Sequence, residues 1–385
     1  MSGIYIHIPF CKKRCHYCDF FSSTHEDVKN RYVKAVSREA RIRKNEIQHP
    51  ITTIYIGGGT PSQLTPSEIQ ELFTNLKQTF DLSAIEECTF EANPDDITPE
   101  FLSVLKDVGV NRLSMGIQSF NDTLLKKLNR RHNASEAISA IRLAQSRGFE
   151  NISIDLMYGL PGQDQEDWSR TLDIALDLGV PHISSYHLTY EEGTILYEWL
   201  QKGIIRESNE ELSLQFFETL ISRLAEKGYE QYEISNFAKD KMYAKHNSSY
   251  WQNKPYLGLG ASAHSFDLKH RSWNPSSMDE YLNILTSDSA LAETEDLDET
   301  TRYNDYIITS LRTKWGADHR FIEQNFRNEL FIHFTKQSMK HLNSENLKMG
   351  QGLGYTENTN NHFYTLTHKG IFISDSIFED LLWVE

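Results

Sequence analysis

Six short apolar segments, each followed by a turn or helix signal, constrain the fold of this 385-residue chain most strongly. The segments are rich in β-branched residues, which is typical of strands. Strands that alternate with helices form βαβ units, in which the strands run parallel. The repeated unit predicts an α/β fold built on an open, partial (βα)6 barrel similar to a TIM barrel. The predicted strands are residues 4–8, 51–56, 87–92, 112–117, 151–156 and 182–188.

The remaining length predicts a smaller domain after the barrel. An acidic, polar stretch over residues 288–299 has the composition of a linker or exposed turn at a domain boundary. Helical patterns follow it, and then two predicted strands at 349–355 and 362–366, an order that is typical of a winged helix. This segment lacks a basic stripe, so we expect a lid or docking domain and not a DNA-binding one. The predicted domains are a barrel at 1–200, a barrel extension at 201–290 and a C-terminal winged-helix-like α+β domain at 291–385.

The helical pattern over residues 26–47 is rich in Glu, Lys and Arg. It predicts a solvated helix on the outside of the barrel. A second helical pattern over residues 209–227 has an apolar stripe, and residues 228–236 alternate in the manner of an edge strand.

The charge balance limits the partners of the protein. Thirty-nine basic and 54 acidic residues give a net charge of −15, which argues against nonspecific nucleic-acid binding. No apolar run is long enough to form an integral membrane segment. No secretory signal is visible in the sequence, so we expect a cytoplasmic location.

Three of the four cysteines lie within residues 11–18, directly after the first predicted strand. Three thiolates in C-x3-C-x2-C spacing can hold three irons of a [4Fe-4S] cube and leave the fourth iron open to a small molecule. A zinc site is an alternative, with His7, His16 or Cys88 as the fourth ligand. A disulfide framework fits less well because the local cysteine count is odd. Apart from that alternative, Cys88 is expected to be a small buried residue. The candidate cluster ligands are Cys11, Cys15 and Cys18.

Polar or glycine-rich positions end the other predicted strands. In a βα barrel, the chemistry takes place at the rim where strands end and βα loops begin. Each position alone is weak evidence, because a glycine run is often only a turn and a carboxylate is often a cap. Their shared place in the repeat predicts one site. The positions are Gly58, Gly59, Glu91, Gln118 and Asp155.

The cysteine spacing resembles the signature of the radical S-adenosylmethionine (SAM) superfamily. That resemblance implies a [4Fe-4S] cluster whose free iron is chelated by SAM, and a single electron that breaks a carbon–sulfur bond to give a 5′-deoxyadenosyl radical. The longer stretch Tyr5-Ile-His-Ile-Pro-Phe-Cys11 is similar to the branch that holds the oxygen-independent coproporphyrinogen III oxidases (HemN) and the HemW haem chaperones. Four later stretches resemble the same branch: Gly-Gly-Thr-Pro, Glu-Ala-Asn-Pro, Ser-Met-Gly-Ile-Gln-Ser-Phe and Ile-Asp-Leu-Met-Tyr-Gly-Leu-Pro.

The resemblance implies a set of SAM-contacting positions, and residue chemistry suggests a role for some of them. Glycine backbone can approach the SAM amino group closely. Gln118 and Asp155 suit ribose hydroxyls, Arg130 suits the SAM carboxylate, and Glu91 is expected to face Arg130 or the substrate end of SAM. No catalytic residue is assigned. The implied positions are Tyr5, Gly58, Gly59, Thr60, Glu91, Gln118, Arg130 and Asp155.

A later motif, H-N-x-x-Y-W, resembles one that HemW proteins carry and that is associated with haem handling. Imidazole can ligate haem iron, and Tyr and Trp rings can pack on a porphyrin face. By composition alone the segment is a loop with aromatic residues, and it could simply support the open edge of the barrel. The candidate haem residues are His246, Asn247, Tyr250 and Trp251.

The resemblance implies one of two functions within this branch. The first is a haem chaperone that binds the cluster, SAM and haem and delivers haem to acceptor proteins. The second is an oxidoreductase of the coproporphyrinogen III oxidase type, which converts two propionates to vinyl groups with loss of CO2. The chaperone is favoured because the oxidases add a fourth cysteine where this chain has Phe20, and carry an extension before the first strand, which here begins at Ile4. A radical SAM enzyme with another substrate is a third hypothesis. The expected partners are haem, haem-accepting proteins and an electron donor, with the chain as a monomer or homodimer.

Overall fold

The six predicted strands are neighbours in one sheet of the computed structural model, which describes residues 2–350 and 362–384. They pair in chain order, and each pair is parallel. The predicted α/β fold is therefore confirmed. The strands are β1 Ser2–Ile8, β2 Ile51–Gly58, β3 Glu87–Ala92, β4 Arg112–Gln118, β5 Asn151–Tyr158 and β6 His182–His187.

Helices connect these strands, and local signals set several of their ends. Thr65 and Glu68 form a capping box at the start of the second helix, and Asn133 and Glu136 form one at the start of the fifth. These side chains satisfy backbone N–H groups that have no partner inside the helix. Gly179 ends the sixth helix in the left-handed conformation. The helices are α1 Lys29–Arg43, α2 Pro66–Thr79, α3 Pro99–Val108, α4 Asp122–Lys127, α5 Ala134–Ser146 and α6 Gln165–Leu178.

Alternation along the strands separates the two faces of the sheet. On β1, Ile4, Ile6 and Ile8 belong to the main hydrophobic core. The intervening Tyr5 and His7 hydrogen-bond to each other at 3.0 Å on the opposite, concave face. The convex face is therefore packed on helices, and the concave face carries polar side chains into the interior of the barrel.

Further strands extend the sheet on both sides of the six. The strands Asn236–Ala238 and Glu230–Glu233 follow β6 in that order, while the strand Tyr256–Leu259 pairs parallel to β1 and leads to three antiparallel strands. Within the part of the chain that the structure describes, the sheet has twelve strands. The added elements are α7 Ile195–Gln201, α8 Glu210–Glu226, β7 Glu230–Glu233, β8 Asn236–Ala238, α9 Lys245–Trp251, β9 Tyr256–Leu259, β10 His264–Phe266, β11 His270–Trp273, α10 Met278–Leu282 and β12 Glu293–Asp296.

The acidic stretch predicted as a linker contains β12, which pairs antiparallel with β11. Basic groups on β11 offset its acidic charge: His270 Nε2 lies 3.3 Å from an Asp296 carboxylate oxygen. The linker prediction is therefore wrong for residues 293–296. The charge pattern of residues 293–296 did not show that this segment pairs with the edge of β11.

The first helix covers the outside of the barrel as predicted, with Arg31, Lys34 and Arg41 exposed, but two of its charged side chains are not solvated. The Glu39 and Arg43 side chains are buried, and they form an ion pair at 3.0 Å. Glu39 also accepts hydrogen bonds from the Gly260 backbone N–H at 2.9 Å and the Tyr281 hydroxyl at 2.6 Å. Buried charges are tolerated when they are paired and hydrogen-bonded, so the charged composition of α1 did not exclude the burial of these two side chains.

The C-terminal segments pack around their own hydrophobic cluster, which begins at Tyr303. A short strand lies between the first two helices of this segment, and a hairpin follows the third helix, where the winged-helix prediction places its two strands. The three strands form a small antiparallel sheet. Most of the predicted strand at 349–355 lies outside the described residues. The elements are α11 Glu299–Leu311, β13 Ala317–Asp318, α12 His319–Asn325, α13 Asn328–Asn343, β14 Leu347–Gly350, β15 Phe363–Leu366, α14 His368–Ile371 and α15 Ser374–Leu381. Across residues 2–350 and 362–384, no helix combines the length and apolar character that crossing a bilayer requires.

Candidate cofactor site at the strand ends

The cysteine loop follows β1 and is fixed by backbone hydrogen bonds. The Cys11 N–H donates to the Ser23 carbonyl at 2.9 Å, and the Ser23 N–H donates to the Pro9 carbonyl at 2.7 Å, so the two ends of the loop are joined. Its middle is attached to the α4 region, because the His16 N–H donates to the Leu128 carbonyl at 3.1 Å. The protein itself therefore positions the three thiols.

The thiols are half-buried and have polar neighbours. Cys11 Sγ lies 3.3 Å from the Thr60 hydroxyl, and Arg130 Nη1 donates to Cys15 Sγ at 3.3 Å. Burial raises the pKa of Cys11 and raises the pKa of Cys18 to about 11. Iron binds thiolates, so assembly of a cluster here would release protons, and the nearby guanidinium would favour the charged form.

The zinc alternative has little geometric support. Both ring nitrogens of His7 lie 3.0 Å from protein partners, and His16 Nδ1 lies 3.0 Å from a backbone carbonyl. Cys88 is only 2% exposed and lies in the hydrophobic core, as its sequence context predicts. Within the described ranges, no three His, Cys, Asp or Glu side chains are grouped to hold a single metal ion.

The glycines after β2 allow the second loop to pack against the cysteine loop. A Cβ at Gly59 would lie 2.7 Å from the Pro9 carbonyl carbon and 3.1 Å from Cys11 Sγ. Gly58 has φ +110°, and a Cβ there would lie 2.6 Å from the His7 ring. Only glycine fits such contacts, so the sequence Gly57-Gly-Gly59 brings backbone directly beside the thiols.

Arg130 connects the ends of β3 and β4 to the cysteine loop. In addition to its contact with Cys15, its Nη2 donates to Asn93 Oδ1 at 2.8 Å and to the Gly116 carbonyl at 2.5 Å. Its Nε is buried and has no hydrogen-bond partner among the described residues. An anionic ligand beside Cys15 would meet a guanidinium already oriented towards the loop.

Gln118 ends β4 with a backbone φ of +67°, which is uncommon for a residue other than glycine. Gly116 pairs with Asp155 in the regular register of β4 and β5, and the register shifts directly afterwards, so that Gln118 pairs with Leu156. A Cβ at Gly116 would lie 2.9 Å from Gln118 Nε2 and 3.3 Å from Arg130 Nη2. Gln118 and Arg130 therefore lie beside the Gly116 backbone, and Asp155 lies opposite Gly116 on the neighbouring strand.

Two carboxyl groups lie inside the barrel near this rim. Glu91 accepts hydrogen bonds from the Tyr55 hydroxyl at 2.6 Å and from the Gly58 N–H at 3.2 Å. Of its two expected positions, facing Arg130 or the substrate end of SAM, these contacts disfavour the first. Burial raises the pKa of Glu91 to about 7 and the pKa of Asp155 to about 6. Because burial penalises the charged forms, these groups favour ligands that supply hydrogen-bond donors.

This chain is similar in sequence and in fold to known proteins. The family model of the radical SAM superfamily matches residues 5–175. The heme chaperone HemW of Lactococcus lactis subsp. lactis (strain IL1403) is 34% identical over 383 residues, covering 99% of this chain and 97% of that protein. The heme chaperone HemW of Bacillus subtilis (strain 168) is 35% identical and covers 98% of each chain. This chain belongs to the HemW family. The crystal structure of coproporphyrinogen III oxidase (HemN) from Escherichia coli has a TM-score of 0.82 at 23% identity over 99% of this chain and 90% of that one, which establishes a shared fold.

Membership of a radical SAM family implies a [4Fe-4S] cluster and SAM, and the residues at the rim fit both. The half-buried thiols can bind iron, and the Gly59 backbone packs so close to Cys11 that a Cβ there would lie 3.1 Å from its Sγ. The unpartnered Nε of Arg130 is a buried donor next to Cys15. The donor set is therefore chemically suited to a thiolate-bound cluster with an anionic, hydroxyl-bearing ligand beside it.

The HemW-type motif forms α9, which lies at the opposite, amino-terminal end of the barrel strands. The Glu87 carboxylate accepts hydrogen bonds from the Lys245 N–H at 2.8 Å and the His246 N–H at 2.9 Å. A carboxylate at this position satisfies the unpaired N–H groups of the first turn and complements the helix dipole. The Glu87 side chain, which comes from β3, therefore caps the N-terminus of α9.

His246 differs from the other three residues of the motif, because both of its ring nitrogens have partners within the protein. Its ring is fully buried, with Nδ1 2.8 Å from the Thr53 hydroxyl and Nε2 2.8 Å from the Tyr250 hydroxyl. It stacks on Tyr55 at a ring-centroid distance of 5.3 Å. Burial lowers the pKa of His246 to about 3, so the imidazole is neutral. Both nitrogens are occupied within the protein.

Asn247, Tyr250 and Trp251 line a cavity of about 300 Å³ inside the barrel, here termed the aromatic cavity. Because Tyr5 also lines it, the aromatic cavity adjoins the candidate SAM residues. Its aromatic lining residues are Tyr5, Tyr55, Tyr186, Tyr250 and Trp251. Its polar lining residues are Glu233, Ser235, Asn236, Asn247 and Arg312.

Several residues of this region were missed in the sequence. Tyr55 lies on β2 and Glu87 lies on β3. Polar and apolar residues alternate along these strands, and that alternation was the signal that could have identified both residues. Glu233 and Arg312 come from segments that are distant from the motif in sequence, and no local pattern marks either one.

Proposed function

We propose that this protein is a haem chaperone, which binds a [4Fe-4S] cluster and SAM, carries haem and delivers it to haem-accepting proteins. The observation that carries the proposal is the near-complete match, at 34% and 35% identity, to two proteins named heme chaperone HemW. The cysteine loop agrees with this function, because Phe20, 65% exposed, occupies the position of the fourth cysteine of the oxidase motif.

In this proposal, Cys11, Cys15 and Cys18 hold the cluster, and SAM binds beside it at the strand ends. When bound, the cluster can supply one electron to SAM. Arg130 orients the SAM carboxylate, and the backbone of Gly58 and Gly59 lies along the amino group. Gln118 and Asp155 hold the ribose hydroxyls, while Tyr5, Thr60 and Glu91 complete the pocket.

The proposal divides the α9 motif into two roles. Asn247, Tyr250 and Trp251 contact haem in or beside the aromatic cavity, and His246 holds them in place. Use of His246 as an iron ligand would break one of its two 2.8 Å hydrogen bonds and free a buried hydroxyl, so we assign it a positioning role. The proposal further implies an electron donor for the cluster, a cytoplasmic location and a monomer or homodimer. A nucleic-acid partner is disfavoured by the net charge of −15.

The oxidase is the competing function, because HemN has the same fold. The test uses protein whose cluster has been reconstituted without oxygen, with cluster and SAM binding confirmed in the same sample. One portion receives coproporphyrinogen III, SAM and a reductant, and its tetrapyrroles are analysed by mass spectrometry. A second portion is titrated with haem and then mixed with an apo-haem protein. We expect haem binding and transfer without loss of CO2; stepwise loss of two CO2 would overturn the proposal.

A matched pair of variants locates the haem site in the same titration. We expect Trp251→Leu to weaken haem binding, because its ring lines the aromatic cavity. Trp273→Leu removes a partly buried indole from β11, outside that cavity, and we expect it to leave haem affinity unchanged. Equal effects of the two changes would argue against the proposed haem position.

A further inference from the structure

An ion pair closes one side of the aromatic cavity. Arg312 directly follows α11, and its Nε and Nη2 donate to one oxygen of Glu233 at 3.1 and 2.8 Å. The Glu233 side chain is 1% exposed and that of Arg312 is 27% exposed. The guanidinium carbon lies 5.0 Å from the ring centroid of Trp251. The C-terminal part of the chain thus contributes a cation to a cavity otherwise formed by the barrel and α9.

Glu233 does not depend on Arg312 alone. Its second oxygen accepts hydrogen bonds from Asn236 Nδ2 at 2.6 Å and from the Ser235 N–H at 3.0 Å. If the guanidinium moved away, the carboxylate would keep two donors, which reduces the cost of leaving a buried charge. Another carboxylate can therefore replace Glu233 as the partner of Arg312.

The backbone at Arg312 is anchored independently of its side chain. The Ile234 N–H donates to the Arg312 carbonyl at 3.2 Å, and the Lys314 N–H donates to the Tyr232 carbonyl at 3.0 Å. These bonds fix the connection between β7 and the end of α11. A change of partner at the guanidinium thus requires movement of the side chain and not of the C-terminal segments.

The lining of the cavity suits a flat apolar ring that carries a carboxylate. Aromatic side chains pack on such a ring, and arginine binds carboxylates through paired hydrogen bonds and stacks on aromatic faces. A volume of about 300 Å³ is at the lower end for small-molecule sites, so it suits the edge of a tetrapyrrole rather than the whole ring. We propose that Arg312 exchanges the Glu233 carboxylate for a propionate carboxylate of the tetrapyrrole, and so determines the preference for the free acid. This inference rests on the proposed haem function.

The test compares the affinities of the reconstituted full-length protein for haem and for haem dimethyl ester, which lacks the propionate charges. We expect the wild type to bind haem at least about tenfold more tightly than the ester, the range expected for a charge-assisted hydrogen bond. Arg312→Gln should bring the ratio of the two affinities close to one. Arg320→Gln, an exposed arginine of α12 in the same part of the chain, should keep the wild-type ratio.

Glu233→Gln provides the opposite perturbation and covers the case in which Arg312→Gln does not fold. Removal of the competing carboxylate should raise the preference for haem over its ester. An unchanged ratio in Arg312→Gln, or an unchanged or lower ratio in Glu233→Gln, overturns the inference while wild-type haem binding still stands. A wild type that binds neither tetrapyrrole instead refutes the proposed function, and the inference fails with it.

Discussion

Replacement of His246 by alanine tests whether the imidazole holds α9 in the barrel. The change removes two buried hydrogen bonds, each 2.8 Å long, and leaves the Thr53 and Tyr250 hydroxyls without these partners. Each unsatisfied buried group costs about 1–3 kcal/mol, and the cavity left by the ring adds to that cost. We therefore expect the free energy of unfolding at neutral pH to fall by about 3–5 kcal/mol.

The pH dependence of this loss follows from the pKa of His246, which burial lowers from 6.5 to about 3. The unfolded chain takes up a proton near pH 6.5, whereas the folded protein keeps the ring neutral to about pH 3. Protons therefore favour the unfolded chain in this range, and the stabilisation by neutral His246 is lost as the pH falls from 6.5 towards 3. Between pH 7 and pH 5 the loss amounts to about 2 kcal/mol.

The assay is urea denaturation of the wild type and His246→Ala at pH 7 and pH 5, with His49→Ala as the matched control. His49 is exposed, so its replacement should change stability by no more than about 0.5 kcal/mol. The stability difference between the wild type and His246→Ala should shrink by about 2 kcal/mol at the lower pH. An equal difference at both pH values would show that the imidazole is not held neutral, and would refute the argument.

Three further predictions concern the rim and the core. Gly59→Ala places a Cβ 2.7 Å from the Pro9 carbonyl carbon and 3.1 Å from Cys11 Sγ. It should destabilise the protein by about 1–3 kcal/mol and lower its iron content after reconstitution. Gly350→Ala, whose Cβ meets no described residue within 4 Å, should do neither. Glu91 has a pKa raised from 4.5 to about 7, so its contribution to stability is full below pH 4.5 and is lost as the pH rises through 7. One pKa unit corresponds to about 1.4 kcal/mol. Between pH 4.5 and pH 8, the free energy of unfolding of Glu91→Gln, measured by denaturation, should therefore rise by about 3 kcal/mol relative to that of the wild type. Parallel pH profiles of the two proteins would contradict this. Cys88→Ala should keep its full iron content, whereas iron loss would make Cys88 a ligand.

The barrel and its rim could be predicted because their signals are local. The Thr65 capping box and the glycine after α6 mark helix ends within a few residues of sequence. Parallel strands place their carboxyl ends at the same edge, so Gln118 and Asp155 had to lie near each other once the strands were recognised. The cysteine spacing is likewise contained within one loop.

The burial of two charged side chains of α1 could not be predicted, because it depends on partners distant in sequence. Glu39 and Arg43 are residue types typical of a solvated surface, yet Gly260 and Tyr281 donate the hydrogen bonds that allow Glu39 to be buried. The strand at residues 293–296 was missed for the same reason, since the free edge of β11 is not visible in its own sequence.

The α9 motif illustrates how one local pattern can contain side chains with different roles. Four residues in a seven-residue helix suggest one ligand-binding group, but the role of each side chain depends on which of its polar atoms remain available. Thr53 and Tyr250 occupy both nitrogens of His246, whereas Trp251 Nε1 is buried without a hydrogen-bond partner in the described structure and its ring lines the aromatic cavity. An occupied imidazole serves as a fixed support, and an unpartnered indole N–H beside a cavity is a donor that a ligand can use. Arg312, which contacts this indole, comes from the C-terminal part of the chain. The cavity is therefore complete only when the C-terminal segments have folded against β7.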